Sequence, residues 1–503
     1  MASARIVIDP AFEVGSIDRR LFGSFVEHLG RCVYDGIYEP GHPAADPDGF
    51  RTDVLDLVRE LGVSTVRYPG GNFVSGYRWE DGIGPRDQRP KRLDLAWHST
   101  ETNEVGVHEF ITWAKAAGVE PMMAINLGTR GVLDAIDLLE YANVPAGSAL
   151  ADQRVANGAA EPFDVRMWCL GNEMDGPWQL GHRSAEDYGK LASQTAKAMR
   201  QLDPSVELVA CGSSNRRMPT FGSWEHTVLQ HTYDDVDFIS CHAYYEEHEG
   251  DLDSFLASGV DMDRFIESVV ATADAVGAGL KSSKKINISF DEWNVWYNVR
   301  DKEKNTIRGI DNWPRAPRIL EDVYSVTDAV VVGDLLISLL GHADRVRAAS
   351  LAQLVNVIAP IMTEPGGPAW RQTTFYPFAE TARRAVGSSL RLTLDSDSHD
   401  TDAYGEVATI AAAGTHDPAS GTTSLFLVNR DHQASSSIEV DCAALPGVTV
   451  RSAVLIADDD RHAANTLEQR DRVTLSELTT CEIDGNQLTI ELPPLSWAAL
   501  TLA

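Results

Sequence analysis

One repeating unit constrains the fold of this 503-residue sequence more than any other feature: a short apolar run, a polar loop and an amphipathic helix. The unit occurs eight times, with predicted strands at 22–27, 64–69, 121–127, 165–170, 207–212, 237–242, 286–291 and 348–354. Strands that alternate with helices pair in parallel through right-handed crossovers, and eight such units close into a (β/α)8 TIM barrel. An open doubly wound sheet is the alternative, but no glycine-rich phosphate turn follows the first run.

The sequence changes character after about residue 385. Helical periodicity stops there, and Ser, Thr, Asp and Gly separate short alternating apolar runs, a spacing typical of a β-sandwich. The run at 4–9 alternates in the same way, so we expect this N-terminal strand to join a jelly-roll-like sandwich. The α/β chain is therefore predicted to divide into an N-terminal strand at 1–18, the barrel at 19–384 and a C-terminal β-sandwich at 385–503.

Charge and cysteine content exclude several classes of partner. The 43 Lys and Arg residues against 74 Asp and Glu residues give a formal net charge of −31, which repels phosphate backbones and anionic lipids. We therefore expect neither a nucleic-acid nor a membrane partner. No secretory signal is seen at the N-terminus, and the six cysteines form no CxxC pair, which favours buried free thiols in a cytoplasmic protein. For Cys32 a packed thiol is favoured over a reactive one.

Two glutamates follow predicted strands at the end where a barrel of this kind carries its functional groups. Glu173 follows the fourth run, directly after Asn172, and Glu292 follows the seventh run, directly before Trp293. Hydrolysis of a glycosidic bond needs one carboxylic acid to protonate the leaving oxygen and a second carboxylate to attack C1 or to activate water. The pair therefore indicates a glycosidase.

Other residues near the strand ends could support such a pair. Arg67, after the second run, is a candidate cation that keeps one glutamate ionised. Asn, Gln and Tyr side chains offer hydrogen bonds to sugar hydroxyls. Three tryptophans are candidate apolar walls for sugar rings: Trp97, Trp178 and Trp296.

A metal site after the sixth run is a competing interpretation. His242 and His248 lie near Glu246, Glu247 and Glu249 in the sequence, but no HExxH pattern is present. A solvated acidic loop is the favoured interpretation, so we expect no metal and no cofactor.

Five motifs, taken in order, resemble glycoside hydrolase family 51, the intracellular α-L-arabinofuranosidases. They are Phe25-Val26-Glu27-His28, Arg67-Tyr68-Pro69-Gly70-Gly71-Asn72-Phe73, Leu170-Gly171-Asn172-Glu173-Met174-Asp175-Gly176, His242-Ala243-Tyr244-Tyr245 and Asp291-Glu292-Trp293-Asn294-Val295-Trp296-Tyr297. The resemblance extends over nearly the whole chain. It implies a retaining exo-enzyme that releases terminal α-L-arabinofuranosyl residues from arabino- and arabinoxylo-oligosaccharides by double displacement. It also implies a homo-oligomer, often a hexamer.

The resemblance further implies roles for individual residues. Glu173 would be the acid/base and Glu292 the nucleophile, with Arg67 holding the nucleophile ionised. The implied substrate-binding residues are Glu27, Asn72 and Asn172 on the furanose hydroxyls, Tyr244 beside the nucleophile, Gln353 at the far edge of the sugar, and Trp296 in the wall of the pocket.

Two alternative functions stay open at this point. The first is another retaining glycosidase of the same clan, such as a xylosidase or an endoglucanase, with the same chemistry and a different pocket. The second is an inactive carbohydrate-binding protein, which the presence of both glutamates disfavours. The segments 130–160 and 301–318 are interpreted as long loops whose contacts the sequence does not define.

Overall fold

Eight parallel strands close into a barrel in the computed structural model of the protein, which describes residues 2–503. The strands follow one another around the barrel in chain order, and the eighth pairs with the first through Ser350 and Gly23. From one to eight they are Gly23–Phe25, Thr65–Tyr68, Glu120–Ala124, Met167–Leu170, Glu207–Ala210, Phe238–Tyr245, Asn287–Val295 and Val346–Leu351. Strands two and four are buried at every position, as expected of parallel strands covered on both faces. The predicted (β/α)8 barrel is confirmed.

A helix follows every barrel strand. The eight helices are Thr52–Leu61, Val107–Ala117, Val132–Asn143, Ala185–Leu202, Ser223–Thr232, Ser258–Leu280, Val326–Gly341 and Phe375–Arg384. The first shows why they form: Val54, Val58 and Leu61 recur at three- and four-residue steps and are buried against the barrel. It ends at Gly62, whose φ of 79° is left-handed and suits glycine.

The segment 130–160 is not the long loop that the sequence suggested. It contains the third barrel helix, Val132–Asn143, and a short helix, Ala149–Ala156. The fully buried Arg154 joins the two, because its guanidinium donates to the carbonyls of Tyr141, Val144 and Pro145 at 3.0, 2.6 and 2.6 Å. The first of the two helices buries Ala135, Leu138, Leu139 and Ala142 at three- and four-residue steps, so its apolar pattern is present in the sequence, whereas the bonds of Arg154 to backbone carbonyls leave no mark in that pattern. The segment 301–318 does run without helix or strand.

The C-terminal region forms two sheets that share one apolar core, confirming the predicted sandwich. In spatial order the five-stranded sheet contains Thr393–Ser396, Ala2–Val7, Ser436–Asp441, Gln487–Leu492 and Cys481–Asp484. The seven-stranded sheet contains Glu13–Ser16, Ser388–Leu390, Ile410–Asp417, Thr422–Asn429, Ser496–Leu502, Val450–Ile456 and Ser476–Glu477. Ile6, Leu427 and Leu488 belong to the core between the sheets. The N-terminal strand joins the sandwich, and the nearby strand 13–16 joins the other sheet, which the sequence did not predict. The domain limits at 18 and 384 stay predictions.

Three two-stranded hairpins complete the described strands. They are Arg92–Asp94 with Ser99–Glu101, Ile361–Thr363 with Ala369–Arg371, and Ser398–Thr401 with Gly405–Ala408. The first lies after barrel strand two and carries Trp97 at its turn.

The helix Val326–Gly341 lies between barrel and sandwich and is buried along nearly its whole length. Its Asp334 accepts a hydrogen bond at 2.7 Å from Arg430, whose side chain comes from the sandwich. Burial on both sides explains why this is the most apolar part of the sequence. None of the helices described over residues 2–503 has the length and apolar character needed to cross a membrane.

Candidate active site

Barrel strand seven carries one more residue than its neighbours near its carboxyl end, which lies at the mouth of the barrel, where the carboxyl ends of the eight strands meet. Ser289 pairs with Ser240 and Glu292 with His242, so three steps on strand seven face two steps on strand six. The pairing with strand eight shows the same offset. Such a β-bulge re-aims side chains and is common beside active sites. Consequently Asp291 and Glu292 lie on the same side of the strand, where both approach one arginine.

Glu292 is surrounded by groups that stabilise its anion. Arg67 Nη2 donates to Oε1 at 2.5 Å, and Tyr244 Oη donates to Oε2 at 2.6 Å. His242 Nδ1 lies 3.6 Å from Oε2. Burial alone would raise the pKa of Glu292, but the charges of His242 and Arg67 and the two hydrogen bonds outweigh it and hold that pKa below its ordinary value.

Arg67 is fixed from three directions. Besides Glu292, its Nη1 donates to Asn172 Oδ1 at 3.1 Å, and its guanidinium carbon lies 4.6 Å from the centre of the Phe25 ring. Asn172 in turn donates to Asn72 Oδ1 at 3.3 Å. The loops after strands two and four are therefore joined directly above the barrel.

Glu173 stands on a turn rather than on a strand. Its φ of 42° is left-handed, which is uncommon for a residue other than glycine. Trp178 Nε1 donates to Oε2 at 2.6 Å, and His242 Nδ1 lies 3.0 Å from Oε1. Trp178 is 51% exposed, so this side of the pocket faces solvent.

His242 lies between the two glutamates. Burial lowers the pKa of His242. The charge of Glu292 and the hydrogen bond and charge of Glu173 raise that pKa by more than burial lowers it, so the net shift is upward. One oxygen from each carboxylate and one histidine nitrogen lie within 4.8 Å of one another. Sequence reasoning placed His242 at a strand end but gave it no catalytic role, because its partners come from strands four and seven.

The same three side chains have a spacing that a metal ion could bridge. The donor set does not favour a divalent cation, because the Arg67 guanidinium already contacts Glu292 with a permanent positive charge. The acidic loop after strand six has other partners: Glu247 pairs with Arg461 at 3.0 Å, and Glu246 accepts from the backbone N–H of Val299 at 3.1 Å.

Glu27 occupies another wall of the pocket and accepts three hydrogen bonds. The donors are Phe73 N at 2.8 Å, Trp97 Nε1 at 3.0 Å and Gln353 Nε2 at 2.9 Å. Burial nevertheless raises the pKa of Glu27 to about 7. Gly70 is required beside it, since its φ is 118° and a Cβ there would lie 2.2 Å from the Glu27 Cβ.

The structure brings the predicted site residues together around one pocket. A Cβ on Gly71 would lie 3.1 Å from Glu292 Oε1 and 3.2 Å from Glu27 Oε2, so both carboxylates face the same space. The Tyr244 and Trp296 rings meet edge to face with centroids 5.0 Å apart and form an aromatic wall. The network includes all nine: Glu27, Arg67, Asn72, Asn172, Glu173, Tyr244, Glu292, Trp296 and Gln353.

Two of the tryptophans do more than the sequence indicated. Trp97 and Trp178 were interpreted as apolar walls, but each donates its indole N–H to a carboxylate of the pocket. Asp94 holds the turn that carries Trp97 by accepting from the backbone N–H groups of Ala96 at 3.1 Å and Trp97 at 2.9 Å. Cys32 is fully buried, and burial raises the pKa of its thiol to about 12, which leaves it unreactive.

Two buried glutamates at the ends of strands four and seven of a (β/α)8 barrel, with oxygens within 4.8 Å, are an arrangement that glycoside hydrolysis could use. Family models agree: the α-L-arabinofuranosidase 1 domain matches residues 57–251, and the α-L-arabinofuranosidase C-terminal domain matches residues 291–496. With the relatives below, these matches show that the chain belongs to glycoside hydrolase family 51, the α-L-arabinofuranosidases.

Two curated relatives and one solved structure are similar over the whole chain. An exo-α-(1→6)-L-arabinofuranosidase of Bifidobacterium longum is 60% identical and covers 99% of this chain and 97% of its own length. An intracellular exo-α-(1→5)-L-arabinofuranosidase of Streptomyces lividans is 58% identical and covers 100% of this chain and 76% of its own. The structure of a family 51 α-L-arabinofuranosidase from Bifidobacterium longum is 51% identical, with a TM-score of 0.96 and full coverage of both chains. These likenesses favour an arabinofuranosidase over a xylosidase, an endoglucanase or an inactive binding protein.

Proposed function

We propose that the protein is an exo-acting, retaining α-L-arabinofuranosidase in which Glu292 is the nucleophile and Glu173 is the acid/base. The unequal surroundings of the two carboxylates carry this assignment. Glu292 accepts hydrogen bonds from a cation and a phenol, Arg67 and Tyr244, and is held as an anion. Glu173 has no arginine beside it within residues 2–503: it lies 3.0 Å from His242 Nδ1 and accepts from the Trp178 indole on the open side of the pocket, where a leaving group and later a water have access.

In the first step, protonated Glu173 gives its proton to the glycosidic oxygen as the bond from C1 to that oxygen breaks. A Glu292 oxygen bonds to C1 and forms a neutral glycosyl ester. Inverting enzymes separate their carboxyl groups by roughly 6.5–9.5 Å to admit a water, whereas retaining enzymes use roughly 5–5.5 Å. One oxygen of Glu173 lies within 4.8 Å of one oxygen of Glu292, which is compatible with the shorter of these carboxyl separations.

In the second step, Glu173 acts as a base. Forming the ester removes the negative charge of Glu292, so an ionised Glu173 no longer faces a second carboxylate across the pocket. Glu173 takes a proton from the incoming water while the water oxygen attacks C1. The bond from C1 to Glu292 breaks, and Arg67 and Tyr244 receive the carboxylate again. Two inversions at C1 give net retention.

We propose that the remaining pocket residues hold the furanose ring. Glu27, Asn72, Asn172 and Gln353 present oxygens and amides that match sugar hydroxyls. Tyr244 and Trp296 supply the apolar face beside the nucleophile. A pocket lined in this way accepts one terminal sugar.

We propose that the substrates are short arabino- and arabinoxylo-oligosaccharides and that the protein acts on them in the cytoplasm. The names of several relatives, including the one from Streptomyces lividans, describe intracellular exo-enzymes and support this setting. The relatives' names differ in linkage, (1→6) in one and (1→5) in others, so both linkages belong in the assay. We also propose that the protein is a homo-oligomer. We expect light scattering to give the mass of a hexamer.

The test compares 4-nitrophenyl α-L-arabinofuranoside with the β-D-xylopyranoside, then arabino-oligosaccharides with arabinan polymer. We expect nitrophenol release from the arabinofuranoside, faster attack on oligosaccharide ends than inside the polymer, and an α-configured first product by NMR. Preference for the xyloside, faster cleavage inside arabinan, or an inverted first product would contradict the proposal.

A further inference from the structure

Asp291 is a buried carboxylate that the two-glutamate mechanism does not use. It is 2% exposed and stands immediately before Glu292 on strand seven. Ser289 Oγ donates to its Oδ1, and Cys169 Sγ donates to its Oδ2 at 3.7 Å. The Oδ2 atom lies 4.0 Å from Arg67 Nη1.

The β-bulge on strand seven explains how two consecutive carboxylates reach one arginine. On a regular strand, adjacent side chains point to opposite faces, so Asp291 would face away from Arg67 if Glu292 faces it. The extra residue between Ser289 and Glu292 removes this alternation. The irregular backbone at this point therefore places a second negative charge beneath the catalytic pair.

Arg67 consequently serves two carboxylates. Its Nη2 donates to Glu292, while its Nη1 faces Asp291 and donates to Asn172. The guanidinium attracts both anions, but the two anions repel each other, so ionised Glu292 is stabilised less in the presence of a charged Asp291 than it would be by Arg67 alone. Asp291 also repels Glu292 directly, because both carboxylates are buried and lie on adjacent residues.

We propose that Asp291 is a positioning residue that tempers the pairing of Arg67 with Glu292 and so keeps the nucleophile reactive. A carboxylate that is stabilised too strongly as an anion is a poorer nucleophile, because reaction at C1 requires it to give up that stabilisation. This inference rests on the roles proposed for Arg67 and Glu292.

Several charged and titratable groups face Asp291 and Glu292. Asp291 is surrounded by Arg67, His242 and Glu292 and by the thiols of Cys169, Cys211 and Cys241. Burial raises the pKa of Asp291 and of each thiol, so at neutral pH the thiols are uncharged and do not compete with Asp291 for Arg67. Glu292 is further surrounded by Glu27, Glu173 and Tyr244.

The test is Asp291→Asn, which removes the charge and keeps the shape, assayed with 4-nitrophenyl α-L-arabinofuranoside. Loss of the repulsion from Asp291 favours ionised Glu292. The acid limb of kcat/KM should therefore move about 0.5–1 pH unit lower. We expect kcat to fall roughly 3- to 10-fold with little change in KM. An acid limb that stays in place would overturn the proposal. An acid limb that moves higher would also overturn it, because that is the shift expected if the substitution only loosens Arg67 from Glu292.

Cys169→Ala is the matched control, since it removes a weak contact with Asp291 Oδ2 at 3.7 Å and leaves in place the Ser289 hydrogen bond that helps to keep Asp291 ionised. Its acid limb should stay where the wild-type limb is, and an equal downward shift would assign the effect to packing and overturn the proposal. A neutron structure of the wild-type protein is an independent check should Asp291→Asn fail to fold. A bare Asp291 carboxylate is expected, and a deuteron on it would overturn the inference. A wild-type protein inactive on the arabinofuranoside would instead contradict the proposed function.

Discussion

The two sides of the pocket hold their glutamates in opposite ways. On the strand-seven side, Glu292 lies on a bulged but continuous strand, and both of its oxygens accept hydrogen bonds from groups fixed by the barrel. On the strand-four side, Glu173 lies on a turn with left-handed backbone and bonds to a tryptophan that is half exposed. The first arrangement keeps the free carboxylate ionised and ready to attack, and the second lets a proton enter and leave. Differences of this kind separate nucleophile from acid in paired-carboxylate sites.

The largest effect should come from removing the strand-seven carboxylate. Glu292→Ala eliminates the covalent step for every substrate, and we expect kcat to fall by roughly 10⁴-fold or more. Azide added to this variant should attack C1 directly and give the inverted β-azide. Glu60→Ala, at a surface glutamate of the first barrel helix, is the control and should retain activity. If Glu292→Ala lost less than tenfold in kcat, on substrates with good and with poor leaving groups alike, Glu292 would not be the nucleophile and the contrast between the two sides of the pocket would fail.

Removing the strand-four carboxylate should have an effect that depends on the leaving group. Glu173→Ala should lose about 10²- to 10⁴-fold on arabino-oligosaccharides, because their alkoxide leaving groups need a proton. Nitrophenolate needs none, so formation of the ester from the nitrophenyl substrate should be much less affected. Azide should then attack the ester and give the α-azide, with retained configuration. Equal losses on both substrates would mean that Glu173 is not the acid.

Arg67→Gln tests the cation that distinguishes the two sides. Without it, Glu292 loses one of the two positive charges and one of the two hydrogen bonds that oppose burial, so its pKa rises and activity is lost at higher pH as the solution is acidified. We expect an acid limb shifted upward and kcat/KM lowered by roughly 10²- to 10³-fold near neutral pH. The control is Arg20→Gln, whose guanidinium pairs with Glu120 and Glu207 at the opposite end of the barrel. If the acid limb of the Arg20→Gln control moved as far as that of Arg67→Gln, the shift would be due to a general loss of rigidity in the barrel and not to the loss of the cation beside Glu292.

The smallest effect should come from the indole on the open side. Trp178→Phe removes the hydrogen bond to Glu173, and we expect kcat/KM on oligosaccharides to fall about 3- to 10-fold, with a smaller change on the nitrophenyl substrate. Trp97→Phe is the matched substitution, because it removes the corresponding bond to Glu27, where the expected change is in KM. The same pattern from both variants would show that the two indoles do not have separate roles.

The fold followed from the regular alternation of short apolar runs with helical patterns, although single barrel strands are as short as the three residues Gly23–Phe25. In 130–160 the first helix does have an apolar stripe, and the part that the sequence does not show is Arg154, whose partners are backbone carbonyls. The site residues could be predicted from their position after strands and from a family resemblance. The bulge at Asp291 and the central position of His242 could not, because both depend on the register between strands six and seven.

The most direct test of the assignment is to isolate the ester. Glu173→Ala incubated with an activated arabinofuranoside should accumulate the glycosyl-enzyme, since the base that removes it is missing. After rapid acid quench and proteolysis, mass spectrometry should find one arabinosyl group on the peptide that contains Glu292, and fragmentation should place it on that residue. An arabinosyl group on Glu27 or Asp291, or no covalent adduct during turnover, would contradict the account.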